Sequence, residues 1–356
     1  MKKVLLLIDS LGSGGAQRQM VGLSTLLNEH GYNTKLVYYH HLDFYKGHLD
    51  KAGVNSECIP GATNIFVRTF SIAKTVRTFK PDVVISYLDT PNIIACFLKL
   101  LGFKYKLIVS ERNTTQIFSM REKIKFLLMR CADVIVPNSH SQENIIKNNY
   151  PKLFNKVHTI TNFIDTDHFV PKGNLKSESC KMISVGRVTE QKNTLRFLQA
   201  IKKIRDEGCL FHVDWYGQPM HPYYSECERY IAEHDLSSVF SFHKPVTNIE
   251  NMYCANDVFV LPSIYEGYPN VMCEAMSCGK PIICARVCDN PYIVEEGGNA
   301  FLFDPYDVDD IADKLRAYMR LGDEQRQTMA RRSRDLALTN FSSKVFIDKY
   351  VDLIEN

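Results

Sequence analysis

The amino-acid sequence predicts an α/β protein of two domains, each built on a parallel β-sheet. Short runs rich in β-branched residues and leucine alternate with longer helical patterns, which is typical of βαβ units. The alternation restarts after a polar, turn-rich stretch at residues 162–179. A length of 356 residues also suits two domains rather than one. We therefore predict a first domain over residues 1–165 and a second over residues 166–339.

The predicted strands are short apolar runs, and the predicted helices fill the sequence between them. In the first domain the strands are Val4–Ile8, Thr34–Tyr39, Val83–Tyr87, Lys106–Ser110, Val134–Pro137 and Lys156–Ile160. In the second domain they are Lys181–Val185, His212–Tyr216, Val239–Phe242, Asp257–Leu261 and Pro281–Ala285. Helical patterns lie at Gln17–His30, Ile65–Phe79, Asn193–Glu207, Tyr223–His234, Asn270–Ser277 and Val308–Leu321.

The composition is that of a folded protein in a reducing compartment. Apolar residues make up 45% and charged residues 23% of the chain, which are ordinary globular values. The apolar run Val4–Ile8 is too short for a secretory leader and is interpreted as a buried strand. The 11 cysteines form no CxxC pair, so reduced core thiols are favoured over zinc ligands or disulfides. We expect a cytoplasmic protein.

The charge is divided unevenly along the chain. Residues 1–165 hold 21 Lys and Arg against 12 Asp and Glu, a net of +9, and residues 166–356 hold 22 against 28, a net of −6. The basic half predicts an anionic partner. Because no nucleic-acid recognition motif is present, an anionic membrane face or a lipid pyrophosphate is favoured over nucleic acid. The basic amphipathic segment Met120–Cys131 is either a membrane-surface helix or an ordinary helix packed on the sheet.

A glycine-rich loop follows the first predicted strand. It reads Ser-Leu-Gly-Ser-Gly-Gly-Ala-Gln and includes Gly14 and Gly15 just before a predicted helix. Glycines let a backbone approach a ligand, and a helix N-terminus binds anions. Gln17 stands where a dinucleotide fingerprint has its third glycine, and His40 and His41 follow the second strand in place of an acid. NAD is therefore disfavoured, and the loop is either a phosphate site or a tight turn.

Two cations follow the first strand of the second domain. Gly186 and Arg187 end the strand, and Lys192 immediately precedes the next helix. Ligands of parallel α/β sheets bind at the carboxyl ends of strands, so both cations are expected in one crevice. A diphosphate suits such a pair. The alternative is two solvated surface charges.

Two carboxylates lie near a later strand end of the same domain. Glu266 stands in the loop after the strand Asp257–Leu261, and Glu274 lies eight residues on, within the next helix. Carboxylates accept hydrogen bonds from sugar hydroxyls. Taken singly, Glu266 could be a helix cap and Glu274 an exposed acid. Together with Arg187 and Lys192 they indicate a ligand site.

These motifs resemble those of the retaining glycosyltransferases of family 4. The resemblance is carried by Gly186-Arg187 with Gln191-Lys192-Asn193, by Glu266-Gly267-Tyr268-Pro269-Asn270, and by the Glu-x7-Glu spacing to Glu274. It extends to the Gly14-Gly15-Ala16 loop and to Pro137-Asn138-Ser139. The resemblance implies the GT-B architecture: two facing Rossmann-like domains with parallel sheets, and a C-terminal helix within residues 340–356 that crosses back to the first domain.

The resemblance also implies a role for each matching residue. Arg187 and Lys192 would contact the diphosphate of a nucleotide sugar, with Gly186 beside them, and Arg187, Lys192 and Glu266 would be the catalytic set. Glu274 would hold the ribose. Glu266 and the backbone of Gly267, Tyr268, Pro269 and Asn270 would hold the donor sugar, and Gly14 and Gly15 would approach the phosphates when the domains close.

The acceptor side departs from the commonest family pattern. Many relatives carry a histidine after the fourth strand, where this sequence has Ser110-Glu111-Arg112-Asn113. A subset that includes enzymes of bacterial lipid-linked oligosaccharide synthesis is similar to this form. Glu111 and Arg112 are therefore acceptor candidates, and Asp89 is a further one.

The resemblance implies a retaining transferase that moves a hexose or N-acetylhexosamine from a nucleotide diphosphate sugar to a lipid-linked or glycan acceptor. UDP-sugars are the first expectation and GDP-mannose the second. The acid–x–acid sequence Asp165-Thr166-Asp167 lies in the linker, so a turn is predicted there, with no metal and no cofactor. The alternatives are a nucleotide-sugar epimerase and a non-catalytic sugar-nucleotide-binding protein.

Overall fold

The computed structural model describes residues 1–61, 63–113, 115, 119–173 and 179–356. The chain divides into two compact units. The N-terminal unit comprises residues 1–163 and 343–356, and the C-terminal unit comprises residues 164–342. Residues 174–178 of the predicted linker, including Asn174, lie outside the described residues.

The N-terminal unit is a six-stranded, wholly parallel sheet in the order β3-β2-β1-β4-β5-β6. Its strands are β1 Lys3–Leu7, β2 Asn33–Tyr38, β3 Asn55–Cys58, β4 Val83–Tyr87, β5 Lys106–Glu111 and β6 Val134–Pro137. Its helices are α1 Gly15–Glu29, α2 Lys46–Lys51, α3 Ile65–Phe79, α4 Asp89–Leu100, α5 Met120–Leu128, α6 His140–Asn149 and α14 Ser343–Glu355.

Helices cover both faces of this sheet because its strands are apolar on both sides. Val4 and Leu6 of β1 point into a core shared with α1 and α14, whereas Leu5 and Leu7 point into a second core shared with α3, α4, α5 and α6. The four helices α3 to α6 therefore form one layer on one face of the sheet. The last helix, α14, completes the opposite face.

The C-terminal unit repeats the plan with the strand order β12-β11-β10-β7-β8-β9. Its strands are β7 Cys180–Val185, β8 Phe211–Tyr216, β9 Phe240–His243, β10 Val258–Leu261, β11 Ile282–Ala285 and β12 Ala300–Phe303. Its helices are α7 Thr194–Asp206, α8 Tyr223–Glu233, α9 Ile249–Ala255, α10 Asn270–Ser277, α11 Asn290–Ile293, α12 Val308–Met319 and α13 Asp323–Phe341.

Each sheet has one point where the strand order reverses its direction. In the N-terminal unit it lies between β1 and β4, and in the C-terminal unit between β7 and β10. The loops that follow two such strands diverge and leave a crevice at their carboxyl ends, where ligands of open α/β sheets bind. In the C-terminal unit the loops are residues 186–193 and 262–269.

The predicted α/β architecture with two parallel sheets is confirmed, and the helices at Ile65–Phe79 and Asn270–Ser277 have the predicted bounds. The strand predicted at Lys156–Ile160 is wrong. Residues Pro151–Lys156 form a short 3-10 helix, and Val157 makes only an isolated bridge to Ile135. Val157 and Ile160 are nevertheless buried, so their apolar pattern reflects a loop packed on the core.

Two strands were not predicted from the sequence. β3 reads Asn-Ser-Glu-Cys and lies at an edge of its sheet, where strands can be polar on both faces. β12 reads Ala-Phe-Leu-Phe and is also an edge strand. Among the described residues, every helix is too short or too polar to cross a bilayer.

A buried hydrogen bond joins the last helix to the first sheet. The hydroxyl groups of Tyr87 in β4 and Tyr350 in α14 lie 2.8 Å apart, and both side chains are fully buried. Tyr350→Phe removes one of them, so we expect the free energy of unfolding to fall by about 1 kcal/mol. Urea denaturation measures this loss. The exposed Tyr306→Phe variant is the matched control, and equal stability of the two variants would contradict the prediction.

Candidate active site

Two loops of the C-terminal unit are tied together at the carboxyl ends of β7 and β10. The side-chain amide of Gln191 donates to the carbonyl of Tyr265 at 3.0 Å, and the amide of Ile264 donates to the carbonyl of Gln191 at 2.8 Å. Residues more than 70 positions apart in sequence are thereby held in one local structure. The loop at 186–193 cannot shift without moving the loop at 262–269.

Asn193 adds a second tie in the same place. Its backbone has φ 58°, in the left-handed region that asparagine tolerates better than most residues. Its buried side-chain amide donates to the carbonyl of Pro262 at 3.1 Å and to that of Pro305 at 2.7 Å. Asn193 therefore ends the 3-10 turn Glu190–Lys192 and sets the direction from which Lys192 extends.

The result is a direct ion pair between two of the predicted site residues. Lys192 Nζ lies 2.6 Å from Glu266 Oε1, and the two side chains are only 15% and 9% exposed. A charge-assisted hydrogen bond of this length in a partly desolvated place is strong. The structure thus brings together one cation and one carboxylate that the sequence placed 74 positions apart.

The Lys192 side chain passes close to a glycine where it crosses the strand ends. A Cβ on Gly186 would stand 3.0 Å from Cε of Lys192, so the lysine stem packs against the glycine backbone. Gly186 is itself pinned, because its carbonyl accepts from the Trp215 indole at 2.9 Å. A Cβ on Gly217 would overlap that same carbonyl. Gly186, Gly217 and Trp215 thus form the closely packed surface on which the Lys192 side chain lies.

Arg187 occupies a different position from Lys192. It follows Gly186 directly, its side chain is exposed, and it forms no ion pair with any residue that the structure describes. Its backbone is held at the strand end because the neighbouring Val188 amide donates to Gln218 O at 3.0 Å. Arg187 is therefore a solvated cation on the same loop as Lys192.

Glu274 lies on α10 and has a partner of its own. Its side chain is buried, and its Oε2 accepts from the Tyr253 hydroxyl at 3.2 Å. In the loop that leads to this helix, Tyr268 is buried with its ring 6.2 Å from that of Phe341, and the Asn270 amide donates to Tyr268 O. Gly267 has open space on its Cβ side. Glu274 is therefore a buried acid within the fold rather than the exposed acid of the alternative interpretation.

The first glycine-rich loop is built around Asp9. Asp9 Oδ1 accepts from the Gln17 side-chain amide at 2.9 Å and from the Ser10 hydroxyl at 3.1 Å. Gly14 is the N-cap of α1, and a Cβ there would overlap the Gln17 side chain. Gln17, which departs from the dinucleotide pattern, thus holds the loop closed over the strand end. Gly15 is the first residue of α1.

The predicted acceptor residues lie at the carboxyl ends of β4 and β5, and two of them, Asp89 and Glu111, contact a lysine that the sequence analysis did not single out. Lys125 Nζ lies 2.7 Å from Glu111, 2.8 Å from Glu122 and 3.2 Å from Asp89. Lys125 is 4% exposed and Glu111 3%. Lys125 and Phe126 both pack inward, as expected for the second interpretation of Met120–Cys131, an ordinary helix packed on the sheet.

Burial and charge act against each other in this cluster. Burial raises the pKa of the Glu111 carboxyl, and the neighbouring Lys125 ammonium only partly offsets that rise. For Lys125 burial favours the neutral amine, but the Glu111 and Glu122 carboxylates outweigh it and raise the pKa of the lysine above its ordinary value. Three carboxylates around one cation leave the cluster acidic overall, and Asp89 is its most exposed member.

Two further features hold this cluster in place. Arg112 lies over the ring of Tyr87 at 4.3 Å and donates to Asn162 Oδ1 at 2.6 Å, so its side chain is fixed rather than free. Leu88 has φ 74°, a strained conformation for a leucine that costs about 1–3 kcal/mol. Leu88 directly precedes Asp89, whose carboxylate contacts Lys125. A positive φ at a leucine has no signature in sequence.

The predicted turn at Asp165-Thr166-Asp167 is confirmed. Asp165 Oδ1 accepts from the amides of Asp167 at 3.2 Å and His168 at 3.0 Å. Among the described residues, no group of three or more His, Cys, Asp and Glu side chains has an arrangement that could hold a metal ion.

Two family models together match most of the chain. The model for Glycosyltransferase Family 4 matches residues 13–168, and the model for Glycosyl transferases group 1 matches residues 165–336. The boundary between the two matches coincides with the start of the C-terminal unit.

Curated relatives carry the same kind of name. The UDP-Gal:α-D-GlcNAc-diphosphoundecaprenol α-1,3-galactosyltransferase of Escherichia coli is 29% identical over 56% of this chain and 55% of its own length. The chain thus spans about half the length of that relative. The amylovoran biosynthesis glycosyltransferase AmsD of Erwinia amylovora is 26% identical over 84% of this chain and 87% of its own.

Solved structures share the fold over its whole extent. A glycosyltransferase from Rickettsia africae superposes with a TM-score of 0.88 at 18% identity, over 99% of this chain and 98% of that one. The Anabaena protein HepE, solved in complex with UDP and glucose, superposes with a TM-score of 0.83 at 15% identity, over 100% of both chains.

Two doubly wound parallel units, with the last helix returned to the first, define the GT-B class of glycosyltransferases. Within that class, the two matching models identify the family. The chain belongs to the group 1, or family 4, glycosyltransferases.

The contact between Gly217 and Gly186 generates a prediction about the site. In Gly217→Ala the added methyl group must displace the Gly186 carbonyl and so disturb the surface on which the Lys192 side chain lies. We expect a loss of about 1–3 kcal/mol in the free energy of unfolding. Thermal and urea denaturation measure this loss. Gly47→Ala is the control, because the added methyl group meets open space and the residue has an ordinary φ, so its free energy of unfolding should be nearly unchanged. Gly208 is unsuitable because its φ is positive. A stable Gly217→Ala variant would show that the strand ends are not tightly packed.

Proposed function

We propose that this protein is a retaining glycosyltransferase that moves a hexose or N-acetylhexosamine from a UDP-sugar to a lipid-linked or glycan acceptor in cell-surface polysaccharide synthesis. The observation that carries the proposal is the Lys192–Glu266 ion pair at the reversal point of the second sheet. The pair places a cation for a leaving diphosphate 2.6 Å from a carboxylate for sugar hydroxyls.

The ion pair suits the donor-free state of an anion-binding site. Without donor, Lys192 is neutralised by Glu266. A bound diphosphate would compete for the lysine, and Arg187, which is exposed on the same loop, would add a second positive charge. Glu266 would then be released toward the donor sugar. Donor binding therefore exchanges partners: the diphosphate pairs with Lys192, and the sugar hydroxyls donate hydrogen bonds to the Glu266 carboxylate.

The chemistry follows from these charges. The bond between the anomeric carbon and the diphosphate oxygen breaks, and the electron pair leaves with the diphosphate beside Lys192 and Arg187. The acceptor oxygen bonds to the anomeric carbon on the same face, and its proton passes to a departing phosphate oxygen. The configuration is thus retained without an enzyme nucleophile, and the protein contributes mainly electrostatic stabilisation.

The acceptor and the location of the enzyme are proposed from the relatives and from the charge of the chain. The Escherichia coli relative is named for transfer to a diphosphoundecaprenol-linked sugar, and the Erwinia amylovora relative for amylovoran biosynthesis. The net charge of +9 over residues 1–165 supports an acceptor that carries pyrophosphate. We place the enzyme in the cytoplasm, peripheral on the inner face of the plasma membrane, with Asp89, Glu111 and Arg112 on the acceptor side.

Removal of the lysine tests the diphosphate role. In Lys192→Ala we expect the turnover of UDP-sugar transfer to fall by about 10²–10³-fold, because the leaving group loses one cation. Transfer to a diphosphoprenol-linked acceptor is followed by chromatography of the labelled product. Lys202→Ala removes an ammonium whose exposed ion pair with Asp206 also spans 2.6 Å, and it should retain activity.

The control for folding is a double variant. Lys192→Ala leaves Glu266 buried without its partner, so Lys192→Ala/Glu266→Gln removes the unpaired charge while the cation stays absent. If stability returns in the double variant, the unpaired Glu266 charge accounts for any unfolding of Lys192→Ala. Turnover is compared in the single variant below its melting temperature, because Glu266 is itself a proposed contact of the donor sugar. Near-normal turnover in Lys192→Ala would overturn the diphosphate role. A new sugar formed from UDP-sugar without acceptor would favour an epimerase, and transfer from GDP-mannose alone would overturn the choice of base.

We further propose that transfer requires no divalent metal, since Lys192 and Arg187 would provide the positive charge that a metal supplies in other transferases. The expected result is unchanged turnover after dialysis against EDTA. A loss of turnover that Mn²⁺ or Mg²⁺ restores would contradict this part of the proposal.

A further inference from the structure

Helix α3 carries an unusual solvent-facing stripe. Its buried face is formed by Arg68, Ile72, Thr75 and Val76. On the opposite side Phe66 is 82% exposed and Phe70 69%, and the same stripe continues one and two turns later through the exposed Lys74 and Arg77. Two phenylalanines on the outside of a helix are not explained by packing within the unit.

The stripe changes from apolar to basic along the length of the helix. Its first turn is apolar, with Ile65 45% and Val67 44% exposed beside Phe66, and its last turns are basic. The segment 65–80 contains four Lys and Arg and no Asp or Glu. Asn64 caps the helix by accepting from the amides of Phe66 and Val67, so the apolar turn is held in regular helical form.

Helix α5 has a second stripe of the same kind. Met120, Ile124 and Leu127 are 70%, 51% and 59% exposed, and they recur at helical spacing between the exposed Arg121 and Lys123. Lys125 and Phe126 on the other side are buried, so the outer stripe does not contribute to the core. The amphipathic helix predicted from the sequence is therefore packed on the sheet and also apolar toward solvent.

Both stripes belong to the same layer of the N-terminal unit. Helices α3, α4, α5 and α6 pack on one face of its sheet, and their outer sides face solvent together. Of the large apolar side chains that are exposed among the described residues, 11 of 21 lie between residues 65 and 154. In crossover connections the helix N-termini lie at the carboxyl edge of the sheet. The apolar turns of α3 and α5 therefore lie at the edge that also holds Asp89 and Glu111.

The charge asymmetry of the chain is located in this layer. Residues 60–159, which contain α3 to α6, hold 15 Lys and Arg against six Asp and Glu, a net of +9. This equals the whole excess of residues 1–165, so the rest of that half is neutral in sum. The segment that contains the layer thus holds the excess positive charge, and the exposed charged side chains of α3 to α6 are all cations.

We propose that the outer side of the α3–α6 layer is the membrane-docking face of the protein, and that its occupant is an anionic bilayer. The first turns of α3 and α5 would enter the boundary between headgroups and acyl chains, and Lys74, Arg77, Arg121 and Lys123 would stay at the level of the phosphates. The proposal deepens, and in its biological purpose rests on, the proposed transfer to a lipid-linked acceptor.

The charge selects the bilayer over a second copy of this chain. The exposed charged side chains on α3 to α6 are all cations, namely Lys74, Arg77, Arg121 and Lys123. This face therefore repels its own copy in an isologous contact, whereas an anionic leaflet attracts it. Its apolar groups are also spread over separate helices, which suits a planar, deformable partner. The position of the apolar turns beside Asp89 and Glu111 would bring a lipid-linked substrate to the acceptor cluster without extraction from the bilayer.

Vesicle flotation of the full-length protein tests this face. Phosphatidylcholine vesicles with and without phosphatidylglycerol are compared for the wild type, Phe66→Ser/Phe70→Ser and Lys74→Glu/Arg77→Glu. We expect binding to the anionic vesicles that weakens at high salt. Binding should fall by about tenfold or more in the phenylalanine variant and by about fivefold or more for each reversed cation.

Leu210→Ser is the matched control, because Leu210 is 74% exposed but lies in the C-terminal unit. It should bind as the wild type does. Equal binding of all variants, equal binding to neutral and anionic vesicles, or no binding by the wild type would overturn the proposal. So would a wild-type dimer that the phenylalanine variant converts to a monomer, since the face would then be an interface between copies.

A second measurement separates this proposal from the proposed function. Transfer from UDP-sugar to a water-soluble, short-chain acceptor should be the same in the phenylalanine variant and the wild type, because neither Phe66 nor Phe70 belongs to the transfer site. Transfer without vesicle binding would reject the docking face alone. Vesicle binding without transfer would reject the proposed reaction and leave the docking face standing.

Discussion

The C-terminal unit depends on one constraint: the loops that follow β7 and β10 must keep a fixed position relative to each other. Gln191 and Asn193 impose it through hydrogen bonds to the backbone of the second loop. The Lys192–Glu266 pair is the consequence, since neither side chain could be brought to the other without those ties. A buried ion pair adds little to stability after desolvation. Its presence at a strand-order reversal is better understood as preparation of a charged site than as a structural brace.

The N-terminal unit uses the same arrangement with different residues. Glu111 ends β5, as Glu266 follows β10, and Lys125 neutralises it from the following helix. Here one cation pairs with three carboxylates, and a strained Leu88 directly precedes one of them, Asp89. The charge at the strand ends therefore differs between the units: the cluster around Lys125 has three carboxylates and one cation, whereas the loops 186–193 and 262–269 hold two cations and two acids. The acidic cluster suits the hydroxyl groups of an acceptor, and the C-terminal loops, with Arg187 free in solvent, suit an anionic donor.

The sequence could predict the parts of this arrangement that depend on local pattern. Alternation of strands and helices, the carboxyl-end rule and the Glu-x7-Glu spacing were enough to locate Lys192 and Glu266 on neighbouring loops. Three features could not be found in this way. The burial of Lys125 was not predicted, because two of its three carboxylate partners, Asp89 and Glu111, are distant in sequence and leave no local trace. The strain at Leu88 is a backbone property. The edge strand β3 is as polar as a loop, so its pairing with β2 is set only by the assembled sheet.

The distribution of charge also bears on how such an enzyme could use one substrate from solution and another from a bilayer. A nucleotide sugar is soluble and anionic, whereas a lipid-linked acceptor stays in the bilayer. An anionic leaflet attracts the basic residues 60–159 and repels residues 166–356, whose net charge is −6. Docking through α3 and α5 would therefore be favoured over binding through the C-terminal unit. The cations needed for the donor are few and local, so they do not require a basic C-terminal unit. The same overall charge of +3 spread evenly along the chain would bind weakly and in no preferred orientation.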